Sequence, residues 1–499
     1  MSFAVVFSRA NIGIRGQLVE VEVHLTRGYP IFSIVGLADT EVKESKDRVR
    51  SAIINSQFDF PSERRITVNL APADLPKESG RYDLAIALGI LAASYQIPKT
   101  YLNNYEFVGE LALSGNLRPI QGALPMVMAT KAAKRAAVLP KINAEECSRV
   151  NGVQIYSADN LIGVCQHLKD TQCLTQPEKS VINCKFEYED LADVKGQLIA
   201  RRALEIAAAG GHSVLMMGPP GTGKTMLANR LLGILPEMTD QQALEVASIY
   251  SLRFPKSENN WYQRPFRAPH HSASNVALVG GGHYPKPGEV SLAHHGVLFL
   301  DELPEFTRLG LEALREPLEA GQVSISRAAY TVEYPAKFQL IAAMNPCPCG
   351  YFGDESQRCR CSPEQITRYQ NKLSGPLLDR IDLHVEMSPI PTQALFNISP
   401  QNQEKSVDIK KRVLAAREKQ WERNNKLNAD LTNSELNCCC ELLPDDQSYL
   451  QTAIEKLGFS ARAYHRVLKI ARTIADISES FNIQREHLQE ALNYKKLKL

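Results

Sequence analysis

The chain has 499 residues, 44% of them hydrophobic and 22% charged, and a formal net charge of +2. That length is too great for one ordinary core and points to roughly two to four domains. The charge balance excludes a global basic field, so any nucleic-acid surface has to be a local patch or a pore lining.

The opening MSFAVVFSRANIGIRG lacks the basic n-region and sustained apolar h-region of a signal peptide. No stretch approaches the roughly 18 apolar residues of a membrane span. A cytoplasmic protein with no membrane partner is therefore expected. There cysteines stay reduced, and clustered ones suit a metal better than disulfides.

Residues 1–170 read as a mixed α/β domain. LVEVEVHL (18–25) alternates as a half-buried strand, and PIFSIVGL (30–37) follows as a second. Residues 40–56 have the apolar spacing of an amphipathic helix, 65–72 read as a strand, and 82–97 as a nearly all-apolar buried helix. Residues 106–120 read as a hairpin turning at Ser114-Gly115. Residues 171–188 are polar and aperiodic, as a linker would be. From 189 to 395 strands alternate with helices, the pattern of a parallel sheet. From 396 to 499 the chain is predicted to be mainly helical.

SVLMMGPPGTGKT (213–225) fits G-x-x-x-x-G-K-S/T, with an apolar strand before it and a helix after it. Gly218, Pro219, Pro220, Gly221, Thr222 and Gly223 form the loop, whose backbone N–H groups can curl round phosphates at a helix N-terminus. Lys224 is placed to reach the β- and γ-phosphates of ATP, and Thr225 to ligate Mg²⁺. In GVLFLDE (296–302) a buried strand carries Asp301 to its C-terminal edge, where it would hold Mg²⁺; Glu302 would polarise the attacking water.

The acid pair, VKGQ (194–197) and the apolar strand ending at Asn345 resemble the AAA+ ATPases. The resemblance implies that Val194 and Gln197 lie near the adenine and that Asn345 is the sensor that orients the lytic water. SGPLLDRIDLHVE (374–386) resembles the family's arginine-finger segment, which gives the finger to Arg380. GFSARAYHR (458–466) resembles the second sensor segment, with Arg462 first and Arg466 second. A finger supplied in trans implies a closed homo-oligomeric ring, by family expectation a hexamer.

Between Thr225 and Asp301 lie 75 residues. FRAPHHSASNVALVGGG (266–282) and PKPGEVSLAHHGVLFLDE (285–302) resemble the helix-2-insert group of chelatase motors and replicative helicases. GQVSISRAAYTVEYPAKF (321–338) reads as a hairpin. In that group it points into the ring pore, which makes Arg327 a candidate contact for a phosphate backbone. His270, His271, His294 and His295 are read as polar packing within the insert.

PKESGRYDLAIALGILAA (76–93) and AAVLPKINAEE (136–146) resemble the Lon protease domain (the ribosomal S5 domain 2-like fold) and the C-terminal domain of the repair protein RadA. The catalytic serine of Lon falls at Arg81 and its lysine at Leu124, with Ser79 out of register, so no peptidase is expected. NPCPCG, SGPLLDRIDLHVE and RAYHRVLKIARTIADI resemble the magnesium-chelatase-like YifB/ComM family over nearly the whole chain. The implied order is a Lon-like α/β domain, a linker, an AAA+ P-loop core with insert, and a helical C-terminal lid. The implied function is a ring-shaped ATP-driven DNA helicase or translocase that promotes branch migration in recombination and natural transformation. Its partners would be single-stranded or branched DNA and recombinase-bound joint molecules. A chelatase-type remodelling motor is the alternative.

Four of the eleven cysteines, Cys347, Cys349, Cys359 and Cys361, form two C-x-C pairs just beyond Asn345. Four thiolates suit tetrahedral Zn²⁺, here expected as a structural clip between Asn345 and Arg380. Cys438, Cys439 and Cys440 are read as structural or incidental.

Overall fold

The computed structural model describes residues 2–36, 39–178, 186–254, 261–282, 285–326, 331–353, 358–389 and 403–495. The chain divides into two units. One comprises Met1–Cys184, Asp240–Trp261 and Ser326–Tyr334; the other comprises Lys185–Thr239, Tyr262–Ile325 and Pro335–Leu499.

The first unit is built on a seven-stranded sheet. Its order is Phe32–Val35, Arg65–Ala71, Arg15–Thr26, Ser2–Ile12, Tyr105–Phe107, Ala136–Pro140, Ile155–Ala158. Val19, Val21, Val23 and Leu25 turn inward while Glu20 and His24 face out, the period of two a one-sided strand requires. The helix Asp83–Ala93 is buried on every side. A Cβ on its Gly89 would lie 2.5 Å from Val23 Cγ2, so glycine is what lets this helix seat on the sheet.

The helix Asp240–Ser251 also belongs to this unit. Its Ala247 joins Ala123, Leu124, Met126 and Val127 in one buried cluster. Buried Glu106 is satisfied by Arg9 at 2.7 Å and Arg135 at 3.2 Å, as a desolvated carboxylate must be.

Three local expectations are revised. Ser2–Ile12 is a long strand paired along its whole length with Arg15–Thr26, although the sequence reading assigned nothing there. Ser8 and Arg9 are buried on it and break the apolar signal. The helix expected over 82–97 ends at Ala93, because Tyr95 takes the left-handed region at φ 65°. The hairpin over 106–120 is shorter than expected. Tyr105–Phe107 joins the large sheet, and Glu110–Leu111 pairs with Leu117–Arg118 around Gly115 at φ 86°.

The second unit holds a five-stranded parallel sheet in the order Phe266–Arg267, Val297–Leu300, Gln339–Met344, Val214–Met217, Leu383–Glu386. Its three central strands are buried at every position, as continuous apolar runs covered on both faces should be. The C-terminal region is helical: Ser406–Asn424, Asn433–Cys439, Pro444–Leu457, Ala461–Ile477 and Arg485–Asn493. Val413, Val467 and Leu488 from these helices share one apolar cluster with Val214 and Ile341 of the sheet.

A buried polar network reinforces that packing. His212 bonds Asp382 at 3.1 Å and Thr473 at 2.8 Å. Burial works to raise the Asp382 carboxyl. Arg466, His212 and Lys495 overcome it and hold that carboxyl well below the ordinary carboxylate range. No helix among the described residues is long and apolar enough to cross a membrane.

Candidate active site

The strand Val214–Met217 delivers the phosphate loop at the C-terminal edge of the sheet, and the helix Lys224–Ile234 leaves from it. Gly218 passes so close to the Met387 carbonyl that a Cβ would lie 2.4 Å from its oxygen. Gly221 and Gly223 have φ of 80° and 88°, and a Cβ on either would meet nothing within 4 Å. Their constraint is therefore conformational, and the loop opens outward. A helix start leaves its first N–H groups without partners inside the helix, which suits this loop to cradle an anion. Thr222 Oγ1 donates to Pro219 O at 2.9 Å and closes the loop on itself.

Lys224 Nζ donates to Gly218 O at 2.7 Å, Pro219 O at 2.9 Å and Asn345 Oδ1 at 3.2 Å. Burial lowers its ammonium from the ordinary value, against the opposing pull of Asp301 and Glu302. Thr225 Oγ1 donates to Asp301 Oδ2 at 3.0 Å. This hydroxyl and carboxylate are hard oxygen donors of the kind Mg²⁺ takes alongside phosphate oxygens and water. The sheet order accounts for the meeting: Gln339–Met344, which leads to Asn345, lies between Val214–Met217 and Val297–Leu300.

Glu302 sits at φ 52° and ψ 47° immediately after Asp301, whose Oδ1 accepts the Glu302 N–H at 2.9 Å. A non-glycine residue in this region marks a constrained turn. It aims the half-exposed Glu302 carboxylate at His271, with Oε2 3.2 Å from Nδ1. The sequence reading treated His271 as packing and missed this partner. The signal available was only that His271 lies four residues beyond the short strand Phe266–Arg267, itself beside Val297–Leu300. His294 does serve packing, accepting the Lys337 N–H at 3.0 Å.

Val194 is buried, and Gln197 Nε2 donates to Thr222 O at 3.3 Å and Ser388 O at 2.8 Å. Gln197 thus ties its segment to the phosphate loop and to the chain beyond Leu383–Glu386.

The arginines form a separate cluster. Arg380 is nearly buried, its side chain 7% exposed, and donates to Pro376 O at 2.7 Å while pairing with Glu319 Oε1 at 2.7 Å. Arg462, 51% exposed, approaches the same Oε1 at 3.4 Å. The hydrogen bond from Arg380 is the main reason the Glu319 carboxyl lies below its ordinary range. Arg466 is committed elsewhere, to Arg380 O at 2.6 Å and to Asp382. Glu319 did not stand out in the sequence.

Arg327 lies outside the described residues; the strands Gln322–Ser326 and Thr331–Pro335 flank it. In the first unit Arg81 Nε donates to Ser79 Oγ at 2.9 Å, and Leu124 is fully buried in the apolar core. The cysteine thiols lie together: Cys347 Sγ is 3.3 Å from Cys349 Sγ and 3.8 Å from Cys359 Sγ, and Cys361 completes the group.

Three family models match the chain: "Magnesium chelatase, subunit ChlI" over residues 190–395, "Subunit ChlI of Mg-chelatase" over 21–143, and "Magnesium chelatase, subunit ChlI C-terminal" over 403–495. The chain is 52% identical over 501 residues to the competence protein ComM of Haemophilus influenzae, covering 99% of this chain and 98% of that protein. It is 50% identical over 496 residues to the uncharacterized protein YifB of Escherichia coli, covering 99% and 97%. A partial likeness, 27% over 187 residues, links it to Lon protease 2 of Bacillus subtilis, with 33% of this chain and 34% of that protein covered.

A parallel sheet carrying a phosphate loop, an acid pair and a polar residue just past the strand between them defines a P-loop ATPase of the AAA+ class. Within that class the chain belongs to the magnesium-chelatase-like YifB/ComM family.

Proposed function

We propose that the protein is the subunit of a ring-shaped, ATP-driven DNA translocase that promotes branch migration during homologous recombination and natural transformation. The observation that carries the motor is the convergence of Lys224, Thr225, Asp301 and Asn345 on one open phosphate cradle. The full-length similarity to a competence protein supports DNA as the track.

In this reading ATP lies on residues 218–225 with its base towards Val194 and Gln197. Mg²⁺ is held by Thr225 and Asp301. Lys224 neutralises the β- and γ-phosphates, Glu302 polarises the water, and Asn345 orients it. Arg380 is the arginine finger that serves the neighbouring subunit's site in a cytoplasmic hexamer, and Arg462, which shares Glu319 with it, is the second sensor. Residues 1–170 act as the Lon-like scaffold, 171–188 as linker, 189–395 as motor and 396–499 as lid. Single-stranded or branched DNA runs through the pore past Arg327, on recombinase-bound joint molecules. The four cysteines hold a structural Zn²⁺.

A second reading, the motor of a metal-chelatase complex, is favoured by the family models that carry a chelatase subunit's description. The experiment that separates them uses purified protein. DNA-stimulated ATPase and extension of three-stranded junctions support the DNA motor. ATPase indifferent to DNA, with copurification of a large metal-inserting subunit, supports the chelatase.

A further inference from the structure

The four cysteine sulfurs have the spacing of a filled tetrathiolate site. With Zn–S near 2.3 Å, the edge of a ZnS₄ tetrahedron is about 3.8 Å. Cys347, Cys349 and Cys359 lie 3.3, 3.8 and 3.6 Å apart, and all four Sγ atoms fall within 4.8 Å of one another. All four cysteines are free thiols. Gly350, at φ 86°, makes the turn between the hooks, its N–H donating to Cys347 O at 3.0 Å. Two C-x-C hooks then bite one ion from either side.

The surroundings of this cluster give it a second role. Cys347 lies two residues beyond Asn345, and Cys361 is followed at once by Ser362, the N-cap of the helix Pro363–Gln370. The far end of that helix returns to where the loop began. Gln370 Nε2 donates to Pro346 O at 3.1 Å, and Tyr369 is hydrogen-bonded with the Asn345 backbone. The segment is therefore a closed circuit that begins and ends at Asn345, with the thiols as its clasp. It also touches the phosphate loop. A Cβ on Gly350 would lie 2.8 Å from Pro220 Cδ and 3.7 Å from Asn345 Cγ. Asn345 in turn accepts from Lys224.

We propose that Zn²⁺ bound by Cys347, Cys349, Cys359 and Cys361 locks Asn345 and the back of the phosphate loop in position, so that metal occupancy governs ATP hydrolysis rather than ATP binding. This rests on the reading of the four cysteines as a zinc site. Binding rests on the loop amides, Lys224 and Mg²⁺, which the clasp does not supply. Hydrolysis depends on where Asn345 holds the water. A displacement of about 1 Å there is enough to cost on the order of a hundredfold in turnover.

The test uses the full-length protein. Elemental analysis of protein purified without chelator should give one zinc per chain, and Co²⁺ substitution should give the charge-transfer spectrum of a tetrathiolate. Cys359→Ser should lose the metal. Removing zinc from the wild type should lower kcat by about a hundredfold and change affinity for a fluorescent ADP analogue by less than about threefold. Returning Zn²⁺ to the metal-depleted wild type keeps every side chain, so it answers the question even if the cysteine variant fails to fold: kcat should recover as zinc is taken up. Absence of zinc together with no cobalt spectrum overturns the metal site itself. Zinc present, with kcat unchanged after its removal and on its return, leaves the site standing and overturns the control of hydrolysis.

Discussion

Thr225 Oγ1 and Asp301 Oδ2 lie 3.0 Å apart although 76 positions separate them in the chain. One stands at the start of the phosphate-loop helix and the other just beyond a strand two places away in the sheet. In the proposed function this contact is where Mg²⁺ would be held, and Lys224, which donates to Asn345, is what would meet the terminal phosphate. The chemistry of the site follows from those two pairings.

Removing the charge that meets the phosphates should abolish binding, whereas removing only the base should not. We expect Lys224→Ala to weaken ATP binding beyond detection in a fluorescent-nucleotide titration. Glu302→Gln should bind ATP with wild-type affinity and lose hydrolysis by about a hundredfold or more. Equal loss of binding in both variants would break the assignment of roles.

His271 faces Glu302 at 3.2 Å. If it holds that carboxylate for its task, His271→Ala should lower kcat by about tenfold with KM for ATP unchanged, and His271→Asn should recover part of the rate by restoring a hydrogen-bond donor. Steady-state ATPase assays decide this. A change confined to KM would mean that His271 serves nucleotide binding instead.

Arg380 and Arg462 share one carboxylate but differ sharply in burial. Arg380→Ala should lower thermal stability as well as activity, since it strips Glu319 and Pro376 O of a buried donor. The expected loss is about 1–3 kcal/mol. Arg462→Ala should leave stability within about 0.5 kcal/mol and reduce hydrolysis. In mixed assemblies, an Arg462 variant that is rescued by Lys224→Ala subunits carrying an intact arginine would place its action in trans. Failure of rescue at every mixing ratio would place it in its own subunit.

Legibility in the sequence followed the strictness of the chemistry. A phosphate loop tolerates few residue types at fixed spacing, so residues 218–225 and, at the end of its apolar strand, Asp301 could be read directly; Asn345 came from the resemblance to AAA+ ATPases, and it meets Lys224 in the structure. The three central parallel strands were equally plain, being short and apolar, whereas the edge strands Phe266–Arg267 and Leu383–Glu386 carry charged residues and were not. What could not be read was partnership across distance. Nothing in Asp240–Ser251 says that Ala247 packs with Leu124. Nothing near position 319 says that its carboxylate collects two arginines, and His271 looks like any histidine of an insert until Phe266–Arg267 is set beside Val297–Leu300. Ser2–Ile12 was hidden for a local reason: its buried Ser8 and Arg9 interrupt the apolar alternation.

Glu146 offers a pH-dependent test outside the site. Burial pushes its carboxyl from 4.5 up to about 7, against the smaller downward pull of Asn143, and its buried Oε1 has no hydrogen-bond partner. An acid whose folded value is raised is favoured in its protonated form. Its ionisation therefore costs stability progressively as pH rises from about 4.5 to about 7, by at most about 3 kcal/mol. Glu146→Gln should raise Tm at pH 8 and leave it nearly unchanged at pH 5. An equal shift at both values would show that charge is not the cause.

The proposed function requires that ATP hydrolysis at this site drive movement of DNA. Its most direct measurement is extension of a three-stranded DNA junction by purified protein, with Glu302→Gln as the control. ATP-dependent extension is expected of the wild type and none of the variant, although both bind ATP. Wild-type protein that hydrolyses ATP at the same rate with or without DNA, and leaves the junction where it was, would contradict it.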